Sequence, residues 1–398
     1  MGCLKSLHYL CKFNLMACNK YLLIIPLLCV NILYAQNVAK ARKIIDTLTS
    51  ETMWGRGYTN QGMSKAANYI ANTFNAYGLK PVGTNSYHQP FSFPVNTFPN
   101  QISVAVNGEL LRPGKDYIVL PESMGSNVKA IFQQVDSITF IDQAKKVILI
   151  IKDKLMWSVA PKPENYTGIV VLNEVIKGKP ENAEINIENT FIEDFQASNV
   201  VGIVKGTKKP DSLIVFTAHY DQLGGMGADT YFPGANDNAS GIALLLQLAE
   251  YYAKYPQPYS MAFICFAGEE AGLLGSKFLT ENPLFPLNNI RFLINTDMVG
   301  TGDTGITVVN ATEHPKEFQM LNRINEIEQL VPKINSRGKA ANSDHYYFAE
   351  KGVPTFFIYT TGGIAAYHDI YDKAITLPFT KFAELFQLIV AFNTELIK

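Results

Sequence analysis

From about residue 195 the chain alternates between short apolar runs and longer amphipathic segments. The runs that have the length and composition of buried strands are "NVVGIVKG", "SLIVFTAHYD", "SMAFICFAGEE", "IRFLINTDMVG", "GITVVN" and "VPTFFIYT". Apolar residues recur with the helical period in "ASGIALLLQLAEYYAKY", "AGLLGSKFLTEN", "PKEFQMLNRINEIEQLV" and "LPFTKFAELFQLIVAFNTELI". Such alternation predicts an α/β fold in which helices cover both faces of a mixed, largely parallel central sheet.

The rest of the chain divides into regions with different sequence patterns. Residues 37–99 begin with helical patterns and are predicted to be the N-terminal part of the same domain. Between 100 and 185, short β-rich runs separated by turn sequences predict a small β-rich insert, with a hairpin turn at Asn107-Gly108. The main domain is then expected to cover residues 186–398.

The first 36 residues predict an export signal. Lys20 precedes a short apolar run that ends at Ala35, and this run is interrupted and shorter than the roughly 20 residues of a membrane span. A basic lead, an apolar core and a small residue are typical of a signal peptide; Met16 is a candidate start, and an uncleaved anchor is the alternative. Only Cys265 remains after this leader, so no intramolecular disulfide is expected. We therefore expect a bacterial protein that is periplasmic or secreted.

Composition narrows the classes of partner. The 398 residues are 47% hydrophobic and 17% charged, which is enough apolar material for a substantial core. The formal net charge is −1, and the sequence contains no block of basic residues. No nucleic-acid partner is expected, nor stable membrane insertion once the signal is cleaved.

Residues with ligand or catalytic chemistry follow the predicted strands where each one ends. They are His219, Asp221, Glu269, Glu270 and Asp297, together with Asp237 in a loop and His368 near the C-terminus. In parallel sheets, ligands bind beyond the carboxyl ends of the strands, so these side chains are expected to meet. A single His is usually a core residue and a single Asp before a helix is usually a cap. Two histidines and three carboxylates at separate ends favour a shared site.

The residue types indicate a metal centre for hydrolysis. Oxygen and nitrogen ligands without thiolates suit zinc, manganese or cobalt. Two ions about 3.5–4 Å apart need one bridging carboxylate and further ligands for each ion, and five ligands with one shared meet that count. Neighbouring side chains in an extended segment diverge, so Glu269 and Glu270 can divide the roles of general base and ligand. In His219-x-Asp221 the two side chains share one side, so Asp221 either orients the imidazole or lies in a surface turn.

The ordered set of motifs resembles the M28 family of zinc peptidases, which includes bacterial aminopeptidases. The matching stretches are "AHYDQLG", "PGANDNASG", "FAGEEAGLLGS", "NTDMVG", "ANSDHYYF" with "GVPTFFIY", and "YHDIYD". They lie between about residues 198 and 372, and "SETMWGRGYTNQGMSKAANYIANTFNAYGLKPVG" resembles the family's N-terminal helical region. The insert resembles a reduced, variant protease-associated domain.

The resemblance implies a di-zinc exopeptidase that acts on peptides. His219 and Asp297 would bind one zinc ion, Glu270 and His368 the other, and Asp237 would bridge them.

The resemblance also implies roles in the reaction. Glu269 would be the general base that takes a proton from the attacking water, and Asp221 would orient His219. Tyr367 matches a tyrosine that stabilises the oxyanion in some members, and an ordinary packing residue is its alternative. Asp344 and His345 in "NSDHYYF" are expected to be structural or to line the pocket.

Several functions remain open at this point. Glutaminyl cyclases resemble the same scaffold but use one zinc ion, and a non-catalytic binding protein would usually have lost ligands. A serine hydrolase is not expected, because no G-x-S-x-G elbow is present. A carboxypeptidase needs cationic groups for the terminal carboxylate, and after "GRG" at 55–57 Arg337 is the only arginine near a motif. An aminopeptidase that hydrolyses N-terminal residues of peptides is therefore the favoured reading, with a carboxypeptidase of the same family as the alternative.

Overall fold

The computed structural model describes residues 38–83 and 85–398. The predicted signal peptide lies outside these residues, so the signal and the export inferred from it stay predictions. In the described part of the chain, no helix is long and apolar enough to cross a membrane.

Helices occur where the apolar period predicts them. In the described residues they are α1 (38–48), α2 (Gly62–Ala76), α3 (Gly241–Lys254), α4 (Leu274–Glu281), α5 (Pro315–Glu328), α6 (His345–Glu350) and α7 (Phe382–Leu396). The short helix α6 was not predicted, because six residues are too few to show a helical period.

The strands of the N-terminal half include those of the predicted insert. They are β1 (His88–Thr97), β2 (Ser103–Val106), β3 (Glu109–Leu111), β4 (Tyr117–Val119), β5 (Ser126–Ile131), β6 (Gln133–Gln134), β7 (Thr139–Asp142), β8 (Val147–Lys152), β9 (Thr167–Leu172) and β10 (Asn182–Ile187). The later strands are β11 (Thr190–Val204), β12 (Lys209–His219), β13 (Gly224–Gly225), β14 (Tyr231–Phe232), β15 (Tyr259–Phe266), β16 (Ile290–Thr296), β17 (Gly305–Val309), β18 (Ile334–Ser336) and β19 (Thr355–Thr361).

The central sheet has eight strands in the order β1-β11-β15-β12-β16-β19-β17-β18. Strands β15, β12, β16 and β19 are parallel. The pairs β1–β11, β11–β15 and β17–β19 are antiparallel, and β18 is parallel to β17. The parallel neighbours β12 and β15 are joined through α3, which supplies the long crossover that a parallel pair needs. The predicted α/β class with a mixed, largely parallel sheet is confirmed.

Two apolar layers cover the faces of this sheet. On β12, Ile214 and Phe216 belong to the layer that contains residues of α1, α2, α3, α5 and α7. Leu213 and Val215 belong to the opposite layer, which includes residues of α4 and α6. Because helices close both faces, the open end of the parallel strands is where polar side chains can gather around a ligand.

The region between β1 and β11 forms two smaller sheets, ordered β3-β2-β10-β5 and β4-β9-β8-β7-β6. The predicted turn at Asn107-Gly108 joins β2 to β3, and both of its residues have positive φ, 50° and 83°. The apolar core of these sheets also includes Leu223, Met226 and Phe232 from the chain after β12. The domain boundaries stay predictions, but this shared core connects the small sheets to the loops next to the β12 strand end.

Candidate active site

The parallel strands bring the predicted ligands to one edge of the sheet. His219 is the last residue of β12, Asp297 directly follows β16, and the glutamate pair follows β15 after a turn at Gly268. Gly268 has a φ of 67°, a conformation that glycine adopts without strain. The turn stops the strand and places Glu269 and Glu270 above the sheet edge.

Asp237 lies between the two histidines. Its Oδ1 is 3.3 Å from Nε2 of His219, and its Oδ2 is 3.2 Å from Nε2 of His368. Asp297 Oδ1 is 3.4 Å from the same nitrogen of His219, and Glu270 Oε2 is 3.2 Å from that of His368. Two three-residue donor sets contain Asp237, and a third consists of His219, Glu269 and Glu270; within each set the donor atoms lie within 4.8 Å of one another.

The donor atoms fit a divalent cation. Glu270 Oε1 and Asp297 Oδ1 are buried and have no hydrogen-bond partner among the described residues. A buried carboxylate oxygen without a partner is costly, and a cation would offset that cost. Imidazole and carboxylate donors without thiolate are ligands that zinc takes in hydrolytic sites.

The same proximity shifts the acid–base properties of these groups. Burial opposes the protonation of His219, but Asp297, Glu269 and other carboxylates outweigh it and hold the pKa of His219 well above its ordinary value. Burial is likewise outweighed at His368, where Asp237 and Glu270 raise the pKa to about 11. Protons and cations therefore compete for these imidazole nitrogens.

Glu269 is placed for a different task from Glu270. It lines a cavity of about 320 Å³ whose wall also includes Asp237, Asp297 and His368. Burial raises the pKa of Glu269 well above its ordinary value; the charge of His219 opposes this shift and that of Glu270 adds to it. A carboxylate with a raised pKa that faces a cavity is suited to accept and return a proton.

Asp221 binds the glutamate turn as well as the histidine. Its Oδ1 and Oδ2 accept the backbone N–H groups of Glu269 and Glu270, each at 3.2 Å. The carboxylate is 3.6 Å from Nδ1 of His219, and the backbone carbonyl of Asp221 is nearer, at 3.3 Å. Asp221 therefore links the end of β12 to the turn that carries both glutamates.

A chain of hydrogen bonds connects Asp297 to β12. Ser343 Oγ donates to Asp297 Oδ2 at 3.2 Å, and Asn295 Nδ2 donates to Ser343 Oγ at 2.9 Å. Thr217 Oγ1 in turn donates to Asn295 Oδ1 at 2.6 Å. Ser343 precedes Asp344 in "NSDHYYF", so this segment holds the carboxylate of Asp297 through Ser343.

The comparison with known families agrees with this geometry. Residues 199–393 match the model of peptidase family M28. The chain belongs to family M28. The matched segment begins in β11 and ends in α7, and therefore contains every candidate ligand.

Proteins of similar sequence align with parts of this M28 chain. Aminopeptidase YwaD of Bacillus subtilis is 29% identical over 238 residues, which are 54% of this chain and 50% of that protein. A probable zinc metalloprotease of Pyricularia oryzae is 39% identical over 112 residues, 27% of this chain and 22% of that protein. The alignments thus span from about a fifth to half of the length of these relatives.

Solved structures confirm the M28 fold over nearly the whole described chain. A peptidase M28 precursor from Shewanella amazonensis has a TM-score of 0.71 at 16% identity, covering 92% of this chain and 96% of that one. A zinc aminopeptidase from Bacillus subtilis, BSAP, has a TM-score of 0.66 at 19% identity, covering 90% and 95%. At these identities the likeness shows the fold.

Arg56 is a buried cation that the sequence analysis did not identify. The side chain is 0% exposed, and its guanidinium donates to the backbone carbonyls of Leu48, Tyr220, Pro233, Gly234 and Asp237. Burial lowers the pKa of Arg56 to about 10, opposed most by the charge of Asp237, so the group stays charged at neutral pH. Arg56 therefore anchors the backbone of the loop that carries Asp237.

The glycines of "WGRG" were the available signal for Arg56. A Cβ on Gly55 would lie 2.6 Å from the carbonyl oxygen of Phe232, and one on Gly57 would lie 2.2 Å from Cα of Gly224. Only glycine allows the backbone to approach this closely, so the segment can insert its arginine beneath the site.

Asp372 also holds the Asp237 loop, through the N–H groups of the loop backbone. Its carboxylate accepts the backbone N–H groups of Asn236 at 2.8 Å and of Asp237 at 3.0 Å. Burial raises the pKa of Asp372 to about 7. The residue lies in the "YHDIYD" motif, in which the sequence analysis gave roles only to Tyr367 and His368.

The predicted insert contacts His368 through Trp157. The N–H of Trp157 donates to the backbone carbonyl of His368 at 2.9 Å, and Nδ1 of His368 lies 3.1 Å from the carbonyl oxygen of Trp157. Because a carbonyl can only accept, Nδ1 carries the proton and Nε2 is directed to the carboxylates. Tyr367 lines the cavity and stacks on His368, with ring centroids 3.9 Å apart.

Replacing Arg56 by methionine is expected to lower the free energy of unfolding by about 3–5 kcal/mol, because five backbone carbonyls lose their hydrogen bonds to a buried cation. The apparent zinc affinity should fall as well, since the Asp237 loop loses its support. Urea unfolding and zinc titration would measure the two effects. Arg291→Met, at an exposed position of β16, is the matched control. Unchanged unfolding and zinc affinity in Arg56→Met would contradict this role.

Proposed function

We propose that this M28 protein is a di-zinc aminopeptidase that releases N-terminal residues from peptides. The observation that carries the proposal is the position of Asp237, whose two oxygens face Nε2 of His219 and Nε2 of His368. One carboxylate between two donor sets suits two ions with a shared ligand. The names of the relatives, which include a zinc aminopeptidase, favour the same activity.

The two donor sets would hold one ion each. His219, Asp237 and Asp297 form the first set, and Asp237, Glu270 and His368 form the second. Zinc at these sets supplies positive charge, which acidifies water and polarises the scissile carbonyl.

The remaining side chains in the cavity handle the proton and the developing charge. The Glu269 carboxylate accepts the proton of the attacking water and passes it to the nitrogen of the leaving amine. The phenol of Tyr367 donates a hydrogen bond to the carbonyl oxygen as that oxygen becomes negative. Burial first, and then the charge of Asp237, raises the pKa of Tyr367, so the phenol keeps the proton that this hydrogen bond needs.

Two donor sets argue against the cyclase alternative, which needs one zinc ion. The non-catalytic alternative is disfavoured because Asp237, Asp297 and His368 line one cavity with Glu269, and His219 and Glu270 complete the donor sets. The lining contains three carboxylates and one arginine, which suits the ammonium group of a free N-terminus more than a free carboxylate at the scissile residue.

The activity test compares free and blocked N-termini. Zinc-loaded protein should hydrolyse leucine p-nitroanilide on the order of 100-fold faster than its N-acetylated form, because a site that binds an amine rejects the analogue in which it is blocked. Equal rates on both substrates would contradict an aminopeptidase. Cyclisation of a peptide with N-terminal glutamine, without hydrolysis, would support the cyclase instead.

A further inference from the structure

The cavity beside the donor sets has two chemically different parts. Glu269 and the candidate ligands Asp237, Asp297 and His368 form one part, and Met298, Phe357 and Tyr359 form an apolar and aromatic part. Its volume of about 320 Å³ is near the lower limit of the roughly 300–1,000 Å³ typical of ligand sites. The cavity therefore suits a short peptide with an apolar side chain.

Arg337 also lines this cavity, and its backbone is held on both sides. Its N–H donates to the carbonyl of Val308 at 2.9 Å, and its own carbonyl accepts the N–H of Ala311 at 3.0 Å. Nη1 of the guanidinium donates to Tyr359 Oη at 3.4 Å. The arginine thus extends from an anchored segment toward the aromatic wall.

The charge of Arg337 is not paired with any carboxylate of the described residues. By contrast, Arg112 and Arg323 have carboxylate partners at 2.6 Å and 3.6 Å, and the neighbouring Lys339 is paired with Glu350. No lysine or other arginine belongs to the lining of this cavity in the described part of the chain. Most of the five N–H donors of the guanidinium are therefore available to a ligand.

We propose that Arg337 binds a carboxylate on the leaving portion of the substrate, so that the preferred substrates are dipeptides with a free C-terminus. This inference rests on the proposed peptidase function. Among the described residues that line the cavity, Arg337 is the one guanidinium beside the carboxylates of Asp237, Glu269 and Asp297, so it is the side chain there that can pair with a substrate carboxylate. Arginine matches a carboxylate with two parallel hydrogen bonds, and such charge-assisted pairs discriminate by about 10–100-fold.

The test compares substrates that differ in one carboxylate. Leucyl-alanine should have a KM about 10–100-fold lower than leucyl-alanine amide, and Arg337→Met should remove this difference while kcat changes little. Leucyl-glutamate α-amide distinguishes a C-terminal carboxylate from an acidic side chain as the bound group. Lys339→Met is the matched control and should keep the wild-type difference, because Lys339 is already paired with Glu350.

A binding measurement separates this inference from the proposed function. Calorimetric titration of a Glu269→Gln variant with leucyl-alanine and its amide reports affinity without turnover. Tighter binding of the free acid that disappears in the Glu269→Gln, Arg337→Met double variant supports the inference, even if no peptide is hydrolysed. Equal binding of acid and amide overturns it, while hydrolysis of leucine p-nitroanilide would still support the aminopeptidase. Equal cleavage of acetylated and free leucyl-alanine would make the enzyme a carboxypeptidase and leave the role of Arg337 intact.

Discussion

The Glu269→Gln variant is expected to lose turnover by about 10²–10⁴-fold, the contribution typical of a general base, and to retain its zinc. Glutamine has nearly the same shape but cannot accept a proton from water. The donor sets around Asp237 do not include Glu269, so their ligands should remain in place. The measurements are kcat with leucine p-nitroanilide and zinc content by atomic absorption.

The control for this variant is Glu281→Gln, at the exposed end of α4. Its kcat and zinc content should equal those of the wild type. Loss of zinc in Glu269→Gln would contradict the role of a base and assign Glu269 to the ligands. That outcome has a structural basis, because Glu269 also lies within 4.8 Å of donors on His219 and Glu270.

The Asp237→Ala variant is expected to lose both zinc ions and all measurable hydrolysis. The substitution removes one ligand from each donor set and leaves the two imidazoles without the carboxylate between them. The loop backbone is held separately by Arg56 and Asp372, so the fold should persist. Zinc content after dialysis and circular dichroism would test both statements.

Asp211→Ala is a suitable control, since Asp211 is exposed and lies on β12 far along the strand from His219. It should keep its zinc and its activity. Retention of one tightly bound ion by Asp237→Ala would exclude a bridge and favour a single-zinc site. An unfolded variant would instead show that the Asp237 side chain is needed for the fold.

Most of the fold could be predicted from the sequence because its signals are local. Apolar runs of strand length and helical periods each lie within one short segment, and the side-chain layers on β12 follow from strict alternation. Candidate ligands could be named for the same reason, since His219, Asp297 and the glutamate pair stand at or near the ends of strands whose parallel direction follows from the pattern. The short helix α6 and the exact pairing of β17 and β18 carry no such local signal.

The residues that hold the candidate ligands in place, Arg56, Asp372 and Trp157, were not predicted, because their hydrogen bonds go to backbone atoms. Arg56 donates to carbonyl groups as far as 181 residues away, and any residue supplies a carbonyl. The same holds for Trp157 and His368, whose contact uses the backbone of the former across 211 residues. Side-chain chemistry gives no indication of such partners. The exception is Asp221, whose expected contact with His219 is accompanied by two unforeseen bonds to the glutamate turn.

The glutamate pair in "FAGEEAG", Glu269 and Glu270, shows what the sequence determines and what the tertiary structure determines. The sequence by itself determined that two adjacent carboxylates follow a buried strand, and the alternation of neighbouring side chains predicted that they divide their roles. In the structure both glutamates lie in the turn after β15, with donor oxygens within 4.8 Å of each other. Only the tertiary structure decided that Glu270 meets His368 while Glu269 lines the cavity with Asp297. That assignment depends on where distant loops place His368 and Asp297, and distances between loops follow from the packing of the whole chain rather than from any local pattern.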